Sequence, residues 1–556
     1  MPTNKQQPGD SKGLQFIDIE DFTPGIYNNS QIAYSSPTEQ PGPFVAPIGA
    51  ADASATWQCI ALNQGGIGPG PAMIADYDLT QLGITTEPSV SGWLVGLINT
   101  LITDEDEFVV CIEDLNPDNN LYVYSAVLGT SNAVLIYSNT SGTNLGRPAG
   151  CAFPFATRVA PTNPTTTVGQ VVIVFPDNTS PGEIVLYPDP ANPTVRSTKT
   201  LTGSSPAGTV FGHQSRIVVL QNVALSWPVT PTIFSNNDAI NYTDPPNSET
   251  YPGATPSIIF VAEEPYGYGA VGSVSAGELF MVKCRGGGVV IQGDINNPTV
   301  TYLPGVLPTG VIYGKTDTDL NGLYYCSDQA GAWLWTGGNA SQKISTQLDD
   351  NFFTPLNPIP NQNFSYYIQR WKQWMIFSNN FMYNTATGGW WRLLNPATAS
   401  LYWFTQAFLA NQMYGAIAEL SNVTTPFLYR FDDTVPASSW QWQSLPIRVT
   451  ENRYVDLREI TLRVSAPYGG DGTGATCTVQ LSVIDSAGNV HAADPFTFSA
   501  DDTPDIQMLR FPVYAQGEDI RVLIEAETTG GTDFNYAPVV HGISLAYRPR
   551  QHAETV

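Results

Sequence analysis

Phe108-Val-Val-Cys-Ile112, a turn of Asp, Asn and Pro from Asp114 to Asn120, then Leu121-Tyr-Val-Tyr124: how this stretch is read decides the fold. Branched and aromatic side chains pack well on a pleated surface, and the polar, Pro-containing segment between the two runs favours a chain reversal, so the unit is a β-hairpin. The same unit recurs down the chain. Val171-Val-Ile-Val-Phe175 leads through PDNTSPG to EIVLY, Arg216 to Leu220 supplies another strand, and Glu278-Leu-Phe-Met-Val-Lys283 turns through RGGG into VVIQG. Gly322 to Cys326 turns through DQAG into AWLWTGG, Trp374-Met-Ile-Phe377 leads to FMYN, and Met413 to Ala418 is followed by PFLYRFDD. The six intervals between Phe108 and Met413 average about 51 residues, the spacing of four-stranded propeller blades. A single such unit has an apolar face that it cannot bury alone, so neighbouring sheets stack radially and close into a ring. The expected fold is all-β, a β-propeller of six or seven blades; a pair of β-sandwiches with evenly spaced hairpins is the alternative.

The flanks differ from this series. Residues 1–70 are rich in Pro, Gly, Asn and Ser (TPGIYNNS, SSPTEQPGPFVAP, GGIGPGP) and read as an extended N-terminal arm. Residues 71–445 hold the propeller. Residues 446–556 alternate apolar and polar positions, as at Ile460, Leu462 and Val464 or Val479, Leu481 and Val483, and read as a C-terminal β-sandwich-like segment or a closing blade.

The chain of 556 residues carries 49 acids against 23 bases, a formal charge of −26. No Lys or Arg lies between Lys12 and Arg147, a stretch that holds 15 acids including Asp104, Glu105, Asp106 and Glu107. Such a surface repels phosphate backbones, because affinity for nucleic acid regardless of sequence comes from Lys and Arg displacing counterions. Repulsion still suits a passage through which DNA slides without being held. No apolar segment is long enough to span a bilayer as a helix, so no membrane span is expected, and the N-terminus has no apolar leader. The six cysteines are scattered without a CxxC pair and read as buried free thiols.

Local chemistry is sparse. The four histidines, His213, His491, His541 and His552, share no HExxH or HxH spacing, and GxSxG is absent. Asp317, Asp319, Asn321 and, after Gly322 and five further residues, Asp328 match the ligand spacing of a calcium loop. The strand-like Leu323-Tyr-Tyr-Cys326 would carry Asp328 away from the turn, so a plain blade turn is favoured over a metal site. Trp371, Trp374, Trp390 and Trp391 are candidate platforms for sugar rings; wedge-filling between blades is the favoured reading. No cofactor is expected, and the chain reads as a protein that is not an enzyme.

Several segments resemble a known family. IDIEDFTPGIYNN, Trp57-Gln-Cys-Ile-Ala-Leu-Asn63 leading into GGIGPGPAM, FGHQSRIVVL followed by SWPVTPTIFSN, VVIQGD, and MLRFPVYAQGEDIRVLIEAE with HGISLAYRPR are similar to the β-propeller tail nozzle (tubular tail) proteins of short-tailed bacteriophages. The resemblance implies a structural virion protein made in the host cytoplasm. It would be a homohexameric ring below the adaptor and portal, contacting tail fibre or spike proteins, with DNA in transit through its channel. Asp104 to Glu107 would then face the lumen. Two other functions stay open: a receptor- or glycan-binding tail propeller, and a tail glycosidase, whose paired carboxylates no sequence pattern would mark among 49 acids.

Overall fold

The computed structural model describes residues 14–27, 48–62 and 65–85, the strands named below with their flanking turns between 92 and 448, and 453–465, 475–499, 506–530 and 537–551. Among the described residues every helix is absent and the chain is all-β. The described residues form seven four-stranded antiparallel sheets, one after another. Blade 1 runs from Gly92 to Asn139, blade 2 from Ala149 to Leu201, blade 3 from Ala207 to Val261 and blade 4 from Ala270 to Pro304. Blades 5 and 6 run from Asp317 to Lys343 and from Ser365 to Arg392. Blade 7 takes three strands from the end of the series, Leu401–Leu409, Gln412–Glu419 and Phe427–Pro436, and its fourth, Pro71–Asp78, from before blade 1. The first strands of neighbouring sheets touch from blade 1 to blade 6, and the first strand of blade 7 touches that of blade 1. This is a β-propeller of seven blades, closed by a strand some 350 residues away in sequence from its partner.

Blade 1 explains why its strands read as continuous apolar runs. Successive side chains of a strand point to opposite faces. Phe108, Val110 and Ile112 therefore face blade 7, where they pack with Leu409, Tyr414 and Leu428. Val109 and Cys111 point the other way, into a second cluster with Val171, Ile173 and Val185 of blade 2. Both faces are covered, so both parities must be apolar. Each such side chain contributes about 1.5–3 kcal/mol of burial.

The C-terminal segment forms a two-layer sandwich, but not by itself. One layer has the order Gln507–Gly517, Arg453–Ser465, Val539–Gln551, Ile67–Pro69, Cys59–Ala61, with Gln15–Ile19 also paired along Val539–Gln551. The other runs Ser439–Gln443, Ile520–Thr529, Thr476–Asp485, with Val490–Ala492 and Phe496–Ser499 both on the far edge of the last. The alternation is literal: in Gln507–Gly517 the inward Leu509, Phe511, Val513 and Ala515 are buried and the residues between them are exposed.

The expected N-terminal arm contains a paired strand that its composition did not suggest. Gln15–Ile19 pairs antiparallel with Val539–Gln551, from Gln15 opposite Tyr547 to Ile19 opposite Ile543, so a five-residue strand sits inside a stretch whose Pro and Gly content suggested none. Phe22 stands edge-on against Trp442, with ring centroids 5.5 Å apart. Gly25 has φ +69° and bridges to Trp390; a Cβ there would lie 2.4 Å from the Trp390 carbonyl oxygen, so only glycine lets the two backbones approach.

Candidate functional site

Glu107, the one described member of the acidic run, lies at the start of the second strand of blade 1 rather than on the innermost strand. Its side chain is 6% exposed and is directed between blades. Ser125 Oγ donates to Glu107 Oε1 at 2.5 Å, and Tyr187 Oη of blade 2 donates to the same oxygen at 2.5 Å. Arg196 Nε stands 3.7 Å away. Burial, and then the hydrogen bond to the Glu107 carboxylate, push the Tyr187 phenol up, so it keeps its proton and serves as a donor. The group is a satisfied polar network clasping blade 1 to blade 2. This corrects the lumen-facing expectation for Glu107, whose charge is compensated inside the fold; Asp104, Glu105 and Asp106 lie outside the described residues.

The candidate sugar platforms are core. Trp390 and Trp391 are fully buried and Trp374 is 4% exposed, which leaves no ring face for a ligand; Trp371 lies outside the described residues. Trp390 Nε1 donates to the Ile344 carbonyl at 3.0 Å and its ring packs edge-on against Phe381, so the indole ties blade 6 to blade 5. The wedge-filling reading holds for these three residues.

At the calcium-loop candidate the backbone register decides. Asp317 pairs with Tyr325 and Thr318 with Tyr324 as adjacent antiparallel strands, and Asp328 pairs with Gly331 at the far end of the second strand. Three residues of extended chain separate Asp328 from the Tyr325 position, about 10 Å, so it does not close a loop around an ion. Asp319 and Asn321 lie outside the described residues. Among the described residues no group of three or more His, Cys, Asp or Glu is placed to hold a metal ion, and no helix is long and apolar enough to cross a membrane; membrane spans built from strands are a separate matter.

Two histidines have polar partners in the sandwich. His491 Nε2 lies 3.1 Å from Asp485 Oδ2. Hydrogen bonds from Asn489, then from His491, hold the Asp485 carboxyl at about 2. His541 Nε2 lies 2.8 Å from Ser465 Oγ, and burial, with Arg463 nearby, holds the imidazole below its usual range. Cys59, Cys111 and Cys477 are buried free thiols; burial pushes the first two up, away from thiolate reactivity.

A cluster that sequence reading missed sits on the ring closure. Asp76 of the closing strand accepts from Tyr414 Oη at 2.7 Å and faces Arg430 Nε at 3.5 Å, joining three strands of blade 7. No spacing rule links positions 76, 414 and 430. The available signal was local: PAMIADYD is an eight-residue strand directly after Gly68-Pro69-Gly70.

No protein-family model matches the sequence, and no curated protein does. Among solved structures the chain is similar to an exo-β-1,3-galactanase from Phanerochaete chrysosporium (TM-score 0.25, 10% identity, covering 85% of this chain and 98% of that one). It is also similar to a Trypanosoma rangeli sialidase (TM-score 0.33, 9% identity, 87% and 96%) and to a β-fructofuranosidase from Schwanniomyces occidentalis (TM-score 0.27, 9% identity, 86% and 100%). These similarities concern fold and carry no residue roles. The expectation that the chain is not an enzyme is corrected: the proteins they name are enzymes, and the lack of a local motif excludes no catalysis. The physical reason is that paired glycosidase carboxylates need a spatial separation, not a sequence spacing.

Proposed function

We propose that the protein is a tail component of a short-tailed bacteriophage that forms the ring of the tail nozzle, part of the channel through which the genome leaves. The observation that carries this reading is the far side of the sandwich. Ser439–Gln443 and Cys59–Ala61 turn one side of the sandwich toward the propeller, the latter touching Trp390–Arg392 of blade 6. The opposite side has two sheet edges, Gln507–Gly517 and the pair Val490–Ala492 and Phe496–Ser499, with no further strand among the described residues. Val490, Phe496, Ile506, Met508 and Tyr514 are exposed there, beside the exposed Arg510. Aromatic residues, Met and Arg are the types enriched where proteins meet, and apolar patches on lone chains mark such surfaces. The segments similar to nozzle proteins and the base-free stretch from 13 to 146 point to a ring around DNA. A ring needs heterologous contacts that repeat until they close. Mass measurement and negative-stain imaging of the protein at virion-like concentration test this: rings of about six copies are expected, and a monomer throughout would count against it.

Carbohydrate recognition by the propeller is the second reading, favoured by the sugar-processing enzymes among the similar structures. Its platform would have to be other than Trp374, Trp390 and Trp391, which are buried. A glycan array, together with a sugar-release assay on host surface polysaccharide, separates the readings: a nozzle binds no glycan, whereas selective binding or release moves the function to the propeller face.

A further inference from the structure

Among the described residues the chain crosses between propeller and sandwich twice, side by side. Ile67–Pro69 belongs to the sandwich, Pro71–Asp78 closes the ring, and only Gly70 separates them. On the other side of the seam Phe427–Pro436 is the blade strand that receives the closing strand, and Ser439–Gln443, which follows Ala437 and Ser438, is already in the sandwich's other layer. The linking residues are cross-tied. Ala437 N donates to the Gly70 carbonyl at 2.8 Å, Ala537 N to the Ala437 carbonyl at 3.1 Å, and Thr528 N to the Ser438 carbonyl at 2.8 Å. Trp440 Nε1 donates to the Pro538 carbonyl at 2.8 Å, and its ring is 1% exposed. Both strands of the seam thus emerge from opposite layers of the sandwich through links of one and two residues.

We infer that the sandwich is the lock of the propeller ring: the seam between Pro71–Asp78 and Phe427–Pro436 opens only when the two sandwich layers part. Neither seam strand can leave its partner by sliding, because each is anchored within two residues to a separate layer. The closing strand, joined to its blade by no local hairpin, would otherwise have the lowest opening cost in the ring. The device couples the two parts into one opening unit and leaves blades 1 to 4, which are closed by their own hairpins, outside it.

Native-state hydrogen exchange on the full chain, read by mass spectrometry over a series of sub-denaturing urea concentrations, tests the lock. Amides of Pro71–Asp78 and Phe427–Pro436 are expected to follow the same urea dependence as those of Thr476–Asp485 and Ile520–Thr529, apart from those of Phe108–Ile112. In Trp440→Ala the seam and the sandwich should both exchange faster by on the order of 100-fold, with blade 1 unchanged. Seam amides that follow blade 1, or keep their wild-type rate in that variant, would overturn the inference. A second variant guards against a failure to fold. Ala72 and Asp432 face each other across the seam, so Ala72→Cys with Asp432→Cys places a disulfide there. When oxidised it should slow seam exchange below that of the sandwich, and on reduction the two should rejoin; equal seam rates in both redox states would contradict the lock.

Discussion

Blade 1 and blade 6 are the same four-stranded unit built in different ways. Blade 1 lies between two separate clusters of mainly branched aliphatic side chains, each shared with the next blade round the ring. Among the described residues blade 6 has no cluster of its own: Trp374, Phe381, Met382, Trp390 and Trp391 belong to one core that continues through Phe22 and Ile26 of the N-terminal segment into the sandwich. A blade that packs only on its neighbours can be specified by a repeated pattern. A blade that also receives a second body is specified by contacts made across hundreds of residues, and there large aromatic rings fill the irregular space that a regular repeat leaves.

The largest effect that would sharpen this contrast is expected at Trp390. Trp390→Ala removes a fully buried ring and the indole bond to Ile344, and should cost about 4 kcal/mol in chemical denaturation, with blade 6 and sandwich probes moving together. Separate transitions would break the claim that blade 6 and the sandwich share a core. Next is Gly25→Ala, which meets the Trp390 carbonyl oxygen at 2.4 Å from a left-handed backbone and should cost about 2 kcal/mol or more by the same assay. A neutral result would mean that the N-terminal segment does not seat against blade 6. In the other region, Tyr187→Phe leaves Glu107 one donor short and should cost about 1.5 kcal/mol, felt by blades 1 and 2 and not by the sandwich. Tyr187→Phe moving the sandwich equally would erase the contrast.

Acid should distinguish the two regions last and most weakly. His541 is held below its usual range, so the unfolded chain takes up the proton first: this contribution to stability is complete above about pH 6.5 and declines as pH falls toward the folded value. Asp485, held at about 2, contributes above roughly pH 4 and loses that contribution as pH falls from there through 2. Both groups are in the sandwich. Denaturation midpoints followed from pH 7.5 to 3 should therefore show His541→Gln flattening the upper part of the decline and Asp485→Asn the lower; profiles unchanged by either variant would discard the assignment.

The repeat was legible because a strand covered on both faces must be apolar at every position, and Phe108 to Ile112 or Val171 to Val174 display that directly. The spacing allowed six or seven blades, and the count turned on a strand that stands apart from the series, Pro71–Asp78. The strand character of Gln15–Ile19 was hidden for a related reason: five residues of alternation inside a Pro- and Gly-rich stretch carry little weight until the partner, Val539–Gln551, is known. At the candidate sites, composition identifies side chains but not which way they point. Trp390 and Trp391 read as wedge more readily than as platform but by no decisive margin, and Glu107 reads as a surface charge until Ser125, Tyr187 and Arg196 are seen around it.

The most direct measurement is an electron cryo-microscopy map of the intact protein at side-chain resolution. Seven four-stranded blades should appear around one axis, with Pro71–Asp78 as the outer strand of the last and Trp390 enclosed between blade 6 and the N-terminal segment. A ring of six blades, or one whose last blade is completed by a strand following Pro436, would contradict it.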